Sequence, residues 1–202
     1  MEDLKNKIIL DLCGGTGSWS RPYEEAGYDV RNITLPDYDV RTYKPPENVY
    51  GILAAPPCTM FSFARTNSKE PRDLGEGMEC VRACLNIIWS VMEIKQDTIK
   101  KTLPLQFWAL ENPYHGFLKK FLGKPAMIFD PWEFGDGYQK RTALWGNFNE
   151  PKKNPIPIKD LEKFDMLKSK DIHPEAFGKL DRQARRSITP VGFANAFFRA
   201  NQ

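Results

Sequence analysis

Apolar and polar residues fall into short blocks along the chain, and the blocks change period. "KIILDLC" (7–13) is an apolar run that stops at glycines, which predicts a buried strand. "SWSRPYEEAG" (18–27) predicts a helix with Pro22 in its first turn. "YDVRNITL" (28–35) and "VYGILAA" (49–55) predict two more strands. Residues 63–77 are polar and contain Gly75 and Gly77, so they read as a loop. From Met78 to Lys95 the apolar positions Val81, Cys84, Leu85, Ile88 and Met92 recur at helical spacing. "QFWALEN" (106–112), "AMIFD" (126–130) and "RTALWGNF" (141–148) predict the remaining strands. Residues 151–184 are rich in Pro and Lys and weakly periodic, and "PVGFANAFFRAN" (190–201) predicts a closing helix.

Strands alternating with helices imply an α/β fold: a mostly parallel central sheet with helices on both faces. At 202 residues the chain is long enough for one domain with a full core, and 1–202 is read as a single unit. In such sheets ligands bind beyond the carboxyl ends of the strands, so those ends carry the candidate chemistry.

Composition narrows the classes. Hydrophobic content of 41% and charged content of 27% suit a soluble globular protein. No apolar run has membrane-spanning length and "MEDLKNK" is no signal peptide, so the expected location is the cytoplasm, with no membrane partner. Four cysteines in this length do not form a disulfide framework. The net charge is +3; residues 119–186 hold fifteen Lys and Arg against ten Asp and Glu, an excess of five, leaving −2 elsewhere. That distribution suits an anionic partner and equally a solvated lysine-rich surface.

The first strand ends in "DLCGGTGSWS" (11–20), whose glycines allow a tight turn and close approach of a ligand to the backbone. Alone, the turn also reads as a sharp connection. The third strand ends in "AAPPCTMFS" (54–62), where two prolines stiffen the backbone up to Cys58. A buried small hydrophobe is the commoner fate of a cysteine and suits Cys80 and Cys84, four apart on a helix; a metal site there lacks further ligands. It suits Cys58 poorly, at a strand end. "ALENP" (109–113) closes an apolar strand with Glu111, either an ion-pair member or an acid of tuned pKa. "GYQKRTALWG" (137–146) offers Gln139 and Arg141, the latter facing either solvent or the cleft.

Taken in order, these segments resemble the DNA cytosine-5 methyltransferase family. "DLCGGTG" resembles its glycine-rich motif, "PCTMFS" its proline-cysteine motif, "ENP" its glu-asn-val motif and "QKRTA" its gln-x-arg-x-arg motif. "RRSITPVGFANAF" (185–197) resembles its closing segments, so the likeness spans residues 11–197. Amino-methylating enzymes carry an aromatic motif where this chain has "APPC", and RNA methylases of the thr-cys type carry their nucleophile at the later strand. The resemblance implies a Rossmann-like S-adenosylmethionine-dependent methyltransferase fold. It implies methyl transfer to carbon 5 of cytosine, with Cys58 adding to carbon 6, Glu111 holding or protonating N3, Arg141 supporting the base or loop, and Gln139 the local backbone. The Cys58 thiol would need its pKa lowered toward neutrality. The cofactor S-adenosylmethionine, leaving as S-adenosylhomocysteine, would lie against Asp11, Cys13, Gly14, Gly15, Thr16, Gly17, Ser18 and Trp19, with Leu35 at the ribose. Asp39, Val40 and Pro57 would meet the adenine, and Asn195 would complete the site from the closing segment. No metal is implied.

The chain departs from the family at Cys13, usually Phe, at Thr34 and Leu35, where a ribose-binding acid is usual, and at Ala143, where a second arginine is usual. Only residues 149–184 stand where a target-recognition region belongs, a compactness shared by small phage and prophage methylases. The implied partner is DNA, read over a very short or relaxed sequence, or with a protein partner supplying specificity. Arg65, Lys69 and Arg72 in the following loop are expected to contact phosphates. The same chemistry on RNA, and a catalytically silent module binding cofactor or nucleic acid, are the competing readings.

Overall fold

The computed structural model describes residues 4–65, 69–94, 105–157, 178–180 and 182–202. Its strands are β1 (Ile8–Leu12), β2 (Asp29–Ile33), β3 (Val49–Ala54), β4 (Phe107–Pro113), β5 (Met127–Phe129) and β6 (Thr142–Asn147). Its helices are α1 (Arg21–Glu25), α2 (Leu74–Ile94), α3 (Lys119–Leu122), α4 (Arg182–Ser187) and α5 (Val191–Ala200), with short 3-10 turns at Leu4–Asn6 and Pro131–Phe134. The strands form one mixed sheet in the order β2-β1-β3-β4-β6-β5. β1 pairs in parallel with β2 and β3, and β3 with β4; β6 runs antiparallel to both β4 and β5.

The reversal of β6 has a local cause. A parallel neighbour needs a crossover of a dozen or more residues, usually helical. Residues 130–141 hold only the 3-10 turn, so the chain returns beside β5 in the opposite direction. Lys140 and Arg141, entering β6, therefore arrive at the end of the sheet where β4 finishes, with Pro113 opposite Thr142.

The alternation of side chains in the strands separates two cores. Leu10, Leu12, Ile52, Ala54 and Leu110 face Val81, Cys84, Ile88 and Val91 of α2. Ile9, Leu53, Ala109 and Leu144 face the other way, toward Tyr23 of α1 and Phe193 and Phe197 of α5. Phe193 stacks on Phe129 at 3.9 Å between centroids and meets Phe134 edge-on at 5.3 Å. Burying each such ring contributes about 2–3 kcal/mol.

Two elements differ from the sequence reading. α1 is only Arg21–Glu25, because residues 17–20 wind as turns and the chain leaves the helix at Gly27, with φ 95°. α2 starts at Leu74, so Gly75 and Gly77 lie in its first turn instead of a loop. Asp73 caps this start, its carboxylate accepting from the Glu76 N–H at 2.9 Å. Gly77 is required there, since a Cβ would stand 2.8 Å from the Met60 Cβ. α3 and α4 were not anticipated. The expected end of α2 at Lys95 and most of the 149–184 segment lie outside the described residues.

The last helix is fastened by Asn201, a residue only 4% exposed. Its Nδ2 donates to the carbonyls of Asn149 and Phe197, both at 3.0 Å, and its Oδ1 accepts from the Asn149 N–H at 2.7 Å. The Tyr23 hydroxyl donates to its carbonyl at 3.2 Å. One residue thus joins α5 and the exit of β6 through its side chain and α1 through its main-chain carbonyl.

Candidate active site at the carboxyl edge of the sheet

From β1 the chain goes outward to β2 and then crosses back to β3 on the other side. A sheet whose order reverses this way opens a crevice between the carboxyl ends of those neighbours, here β1 and β3. The glycine turn leaves β1 at that crevice and the Cys58 loop leaves β3 beside it.

The glycine turn is tightly wound. Cys13, Gly15 and Gly17 all take left-handed backbone angles, at φ 57°, 54° and 67°. Gly14 packs where a Cβ would collide with the Asp11 carboxyl and the Asn32 side-chain oxygen. Asn32 Nδ2 donates to the Gly15 carbonyl at 3.0 Å, and Ser20 Oγ donates to Asp11 Oδ2 at 2.6 Å. Asp11 is completely buried, and desolvation pushes its carboxyl up to about 6 against the lowering effect of Ser20. Among the described residues Asp11 Oδ1, Asn32 Oδ1 and Trp19 Nε1 are buried polar atoms with no hydrogen-bond partner. The two oxygens call for a donor and the indole N–H for an acceptor. Thr16 is exposed. Ser18 Oγ accepts from the Thr189 N–H at 2.9 Å, which brings the closing segment against the turn.

Cys13 also faces α2. It packs with Cys80 against the core that holds Cys84. A hydrogen bond from Cys84 draws the Cys13 thiol down, while the same contact and burial push Cys84 well up. Among the described residues no group of three or more His, Cys, Asp or Glu is placed to hold a metal ion.

The Cys58 loop is pinned from several directions. The Ala55 N–H donates to the Leu12 carbonyl at 2.9 Å, tying the exit of β3 to that of β1. Asn112 Nδ2, buried on β4, donates to the Pro56 carbonyl at 3.0 Å. Past the cysteine, the Phe61 and Ser62 N–H groups both donate to the Cys58 carbonyl, at 2.9 and 2.8 Å. Phe61 is fully buried, and its carbonyl accepts from the Phe117 N–H at 3.0 Å. The stiffness read from two prolines is thus completed by β4 and by the segment after it.

Cys58 and Glu111 are brought within each other's electrostatic reach. Burial pushes the Cys58 thiol up and the Glu111 charge pushes it further; Lys140 and Arg186 oppose both. Burial likewise raises Glu111, with Lys140 pulling it down. The expectation of a thiol lowered toward neutrality is therefore corrected: the cations are in place, but desolvation and the neighbouring carboxylate outweigh them. Two like charges cannot both form here cheaply, so the pair favours at most one ionised member.

Arg141 is not brought to this pair. Its Nη1 lies 3.1 Å from Asp130 Oδ2, and its side chain is more than half exposed. Lys140, partly buried, is the neighbouring cation whose charge acts on both members of the pair. Gln139 is exposed. Arg72 braces the loop, donating from Nη1 to the Met60 carbonyl at 3.0 Å and from Nη2 to the Arg65 carbonyl at 3.4 Å. Arg65 Nη1 donates to the Pro71 carbonyl at 3.3 Å, and Lys69 is exposed.

On the other side of the crevice Asp39 is held by Arg41, with a shortest contact of 2.6 Å, and its carboxyl is pushed down to about 2 mainly by that hydrogen bonding. Val40 is buried, Pro57 is exposed, and Leu35 is 65% exposed. Asn195 Nδ2 donates to the Val191 carbonyl, one turn back on α5. A groove of about 480 Å³ opens between residues 40–45 and α2 and is lined by Val40, Tyr43 and Arg82. It includes neither Cys58 nor the glycine turn, so the site is defined by its groups and not by that concavity.

Lys140, Arg186 and Asn112 escaped the sequence reading. Lys140 and Asn112 each adjoin a residue that was singled out, and only the pairing of β4 with β6 tells them apart. Nothing in the sequence marked Ser20 as the partner of Asp11. No family model and no curated protein matches the chain.

Proposed function

We propose that the protein transfers a methyl group to carbon 5 of cytosine in nucleic acid, DNA in the first instance, through a covalent bond to Cys58. The observation that carries this reading is the meeting of Cys58 and Glu111, with Lys140 and Arg186 in electrostatic reach of Cys58, beside a glycine turn at the reversal of the sheet. On this reading the sheet is a Rossmann-like methyltransferase sheet and the chain is an enzyme.

S-adenosylmethionine fits the glycine turn. The unpartnered oxygens of Asp11 and Asn32 would accept from the amino group of its methionine part, and Gly14, Gly15 and Gly17 leave the backbone open to it. When bound, it supplies an electrophilic methyl group. The chain's own residues do the rest. The Cys58 sulfur adds to carbon 6, forming the S–C6 bond and breaking the C5–C6 double bond. Glu111, whose carboxyl burial pushes up, would share or give a proton to N3 as negative charge builds on the ring. Carbon 5 thereby becomes nucleophilic toward the methyl group that S-adenosylmethionine would supply, its S–CH3 bond breaking to leave S-adenosylhomocysteine. Loss of the carbon 5 proton to a base then restores the double bond as the thiolate leaves, and N3 returns its proton to Glu111. Lys140 and Arg186 stabilise the thiolate before addition and after departure.

Oligonucleotides carrying 5-fluorocytosine cannot lose a proton at carbon 5, so the adduct accumulates. Incubation with S-adenosylmethionine should give a denaturation-resistant complex that Cys58→Ser abolishes. No such complex on DNA or RNA would overturn the reading.

A further inference from the structure

We propose that the surface beside Cys58 is a stacking platform for an unpaired strand, so that single-stranded nucleic acid, and not duplex, is the substrate class. The inference rests on the nucleic-acid reading above and deepens it.

The segment after Cys58 pairs with the segment after β4. Ser62 bridges Gly116, and the Phe63 N–H donates to the His115 carbonyl at 3.1 Å. This pairing sets Phe63 edge-on against Phe117, at 5.0 Å between centroids. Phe63 is nonetheless 47% exposed and Phe121, four residues past Phe117, is 52% exposed. Cations stand over the half-buried neighbouring rings, Phe117 and Tyr114. The Arg72 guanidinium and the Lys120 ammonium each stand 5.5 Å from the Phe117 ring, and the Lys119 ammonium stands 4.0 Å from that of Tyr114. Among the described residues no carboxylate pairs with Lys119 or Lys120.

Exposed rings interleaved with unpaired ammonium groups suit one kind of ligand: a phosphate chain whose bases are free to stack. A duplex hides its base faces and is read through its grooves, by an inserted helix or ribbon. The described part of the segment expected to do such reading does not project. Residues 149–157 are tied back onto the 3-10 turn: the Asn154 N–H donates to the Glu133 carbonyl at 2.9 Å, the Ile156 N–H to the Trp132 carbonyl at 3.0 Å, and Lys153 pairs with Glu133 at 2.6 Å. A strand on this platform would reach Cys58 without the unstacking and unpairing that a flipped base in duplex requires.

The test is fluorescence anisotropy with the full chain and labelled strands of about 20 nucleotides: unpaired DNA, unpaired RNA, and the matching DNA duplex. The unpaired strands should bind at least about tenfold tighter than the duplex, with the DNA and RNA arms telling which sugar is preferred. Phe121→Ala and Phe63→Ala should each weaken single-strand binding about tenfold, and Phe121→Trp should restore it. The Lys119→Ala, Lys120→Ala variant should bind with a shallower salt dependence. Both phenylalanines are half-exposed, and circular dichroism checks that the variants fold. Equal affinity for duplex, or single-strand binding indifferent to both alanine variants, would overturn the platform. Binding without a 5-fluorocytosine adduct would leave the platform standing and sink the methyl-transfer reading instead.

Discussion

The Arg141 guanidinium donates to Asp130 at 3.1 Å, and so the charge that acts on both Cys58 and Glu111 belongs to its neighbour Lys140. The two residues enter β6 consecutively and face different partners. Lys140→Gln should therefore push the Cys58 thiol further up, because a cation that favoured the thiolate is gone. The pH profile of iodoacetamide alkylation should shift to higher pH, and adduct formation should fall at least about tenfold. Arg141→Ala should leave the alkylation profile in place. A larger shift from Arg141→Ala than from Lys140→Gln would reverse this assignment.

Glu111→Gln should split two properties that usually move together. Removing the carboxylate removes the like charge that raises Cys58, so thiolate forms at lower pH and alkylation near neutrality speeds up. On the methyl-transfer reading the same change removes the proton donor for N3, and adduct formation should drop by about 10²–10⁴-fold. Faster alkylation with slower trapping is the signature; parallel loss of both would mean that Glu111 only holds the loop.

The split between Lys140 and Arg141 also marks what was legible in the sequence. Periodicity located the strands, since a buried strand and a helix face leave different spacings, and so the strand ends carrying Cys58 and Glu111 could be found. It could not tell which of two adjacent cations turns inward, because that depends on β6 running antiparallel to β4. The start of α2 was hidden for a different reason. Gly75 and Gly77 read as loop, while the structure uses Gly77 for close packing against Met60 and Phe61, a tertiary demand that overrides propensity. The thiol contact between Cys13 and Cys84 joins a turn to a helix 71 positions later, beyond any local pattern.

Asn201 gives a stability prediction independent of chemistry. Its side chain makes three hydrogen bonds with its residue buried, joining α5 to the exit of β6. Asn201→Leu would take these partners from the Asn149 N–H and from the Asn149 and Phe197 carbonyls. The expected loss is about 2–4 kcal/mol, each abandoned group costing about 1–3 kcal/mol before relaxation and solvent access. Urea unfolding should show a lowered midpoint with an unchanged m-value. Adduct formation by the folded fraction should be unaffected, since the Asn201 bonds run to Tyr23, Phe197 and Asn149 and not to the Cys58 loop.

Asp11 predicts a pH dependence of unusual sign. Its carboxyl is raised from 3.8 to about 6 in the folded protein, so between those values the folded state binds more protons than the unfolded chain. Stability should fall as pH rises through that window and level off above about 6, the loss amounting to about 3 kcal/mol from this group. Asp11→Asn keeps an acceptor for Ser20 and removes the titration, so the variant should be more stable than the parent above pH 6 and no longer lose stability across the window. Urea unfolding at closely spaced pH values reads both effects. A parent protein that instead gains stability from pH 4 to 6 through this residue would mean that Asp11 has a cationic partner. On the methyl-transfer reading S-adenosylhomocysteine is such a partner, and its addition should abolish the decline in the parent while doing far less for Asp11→Asn.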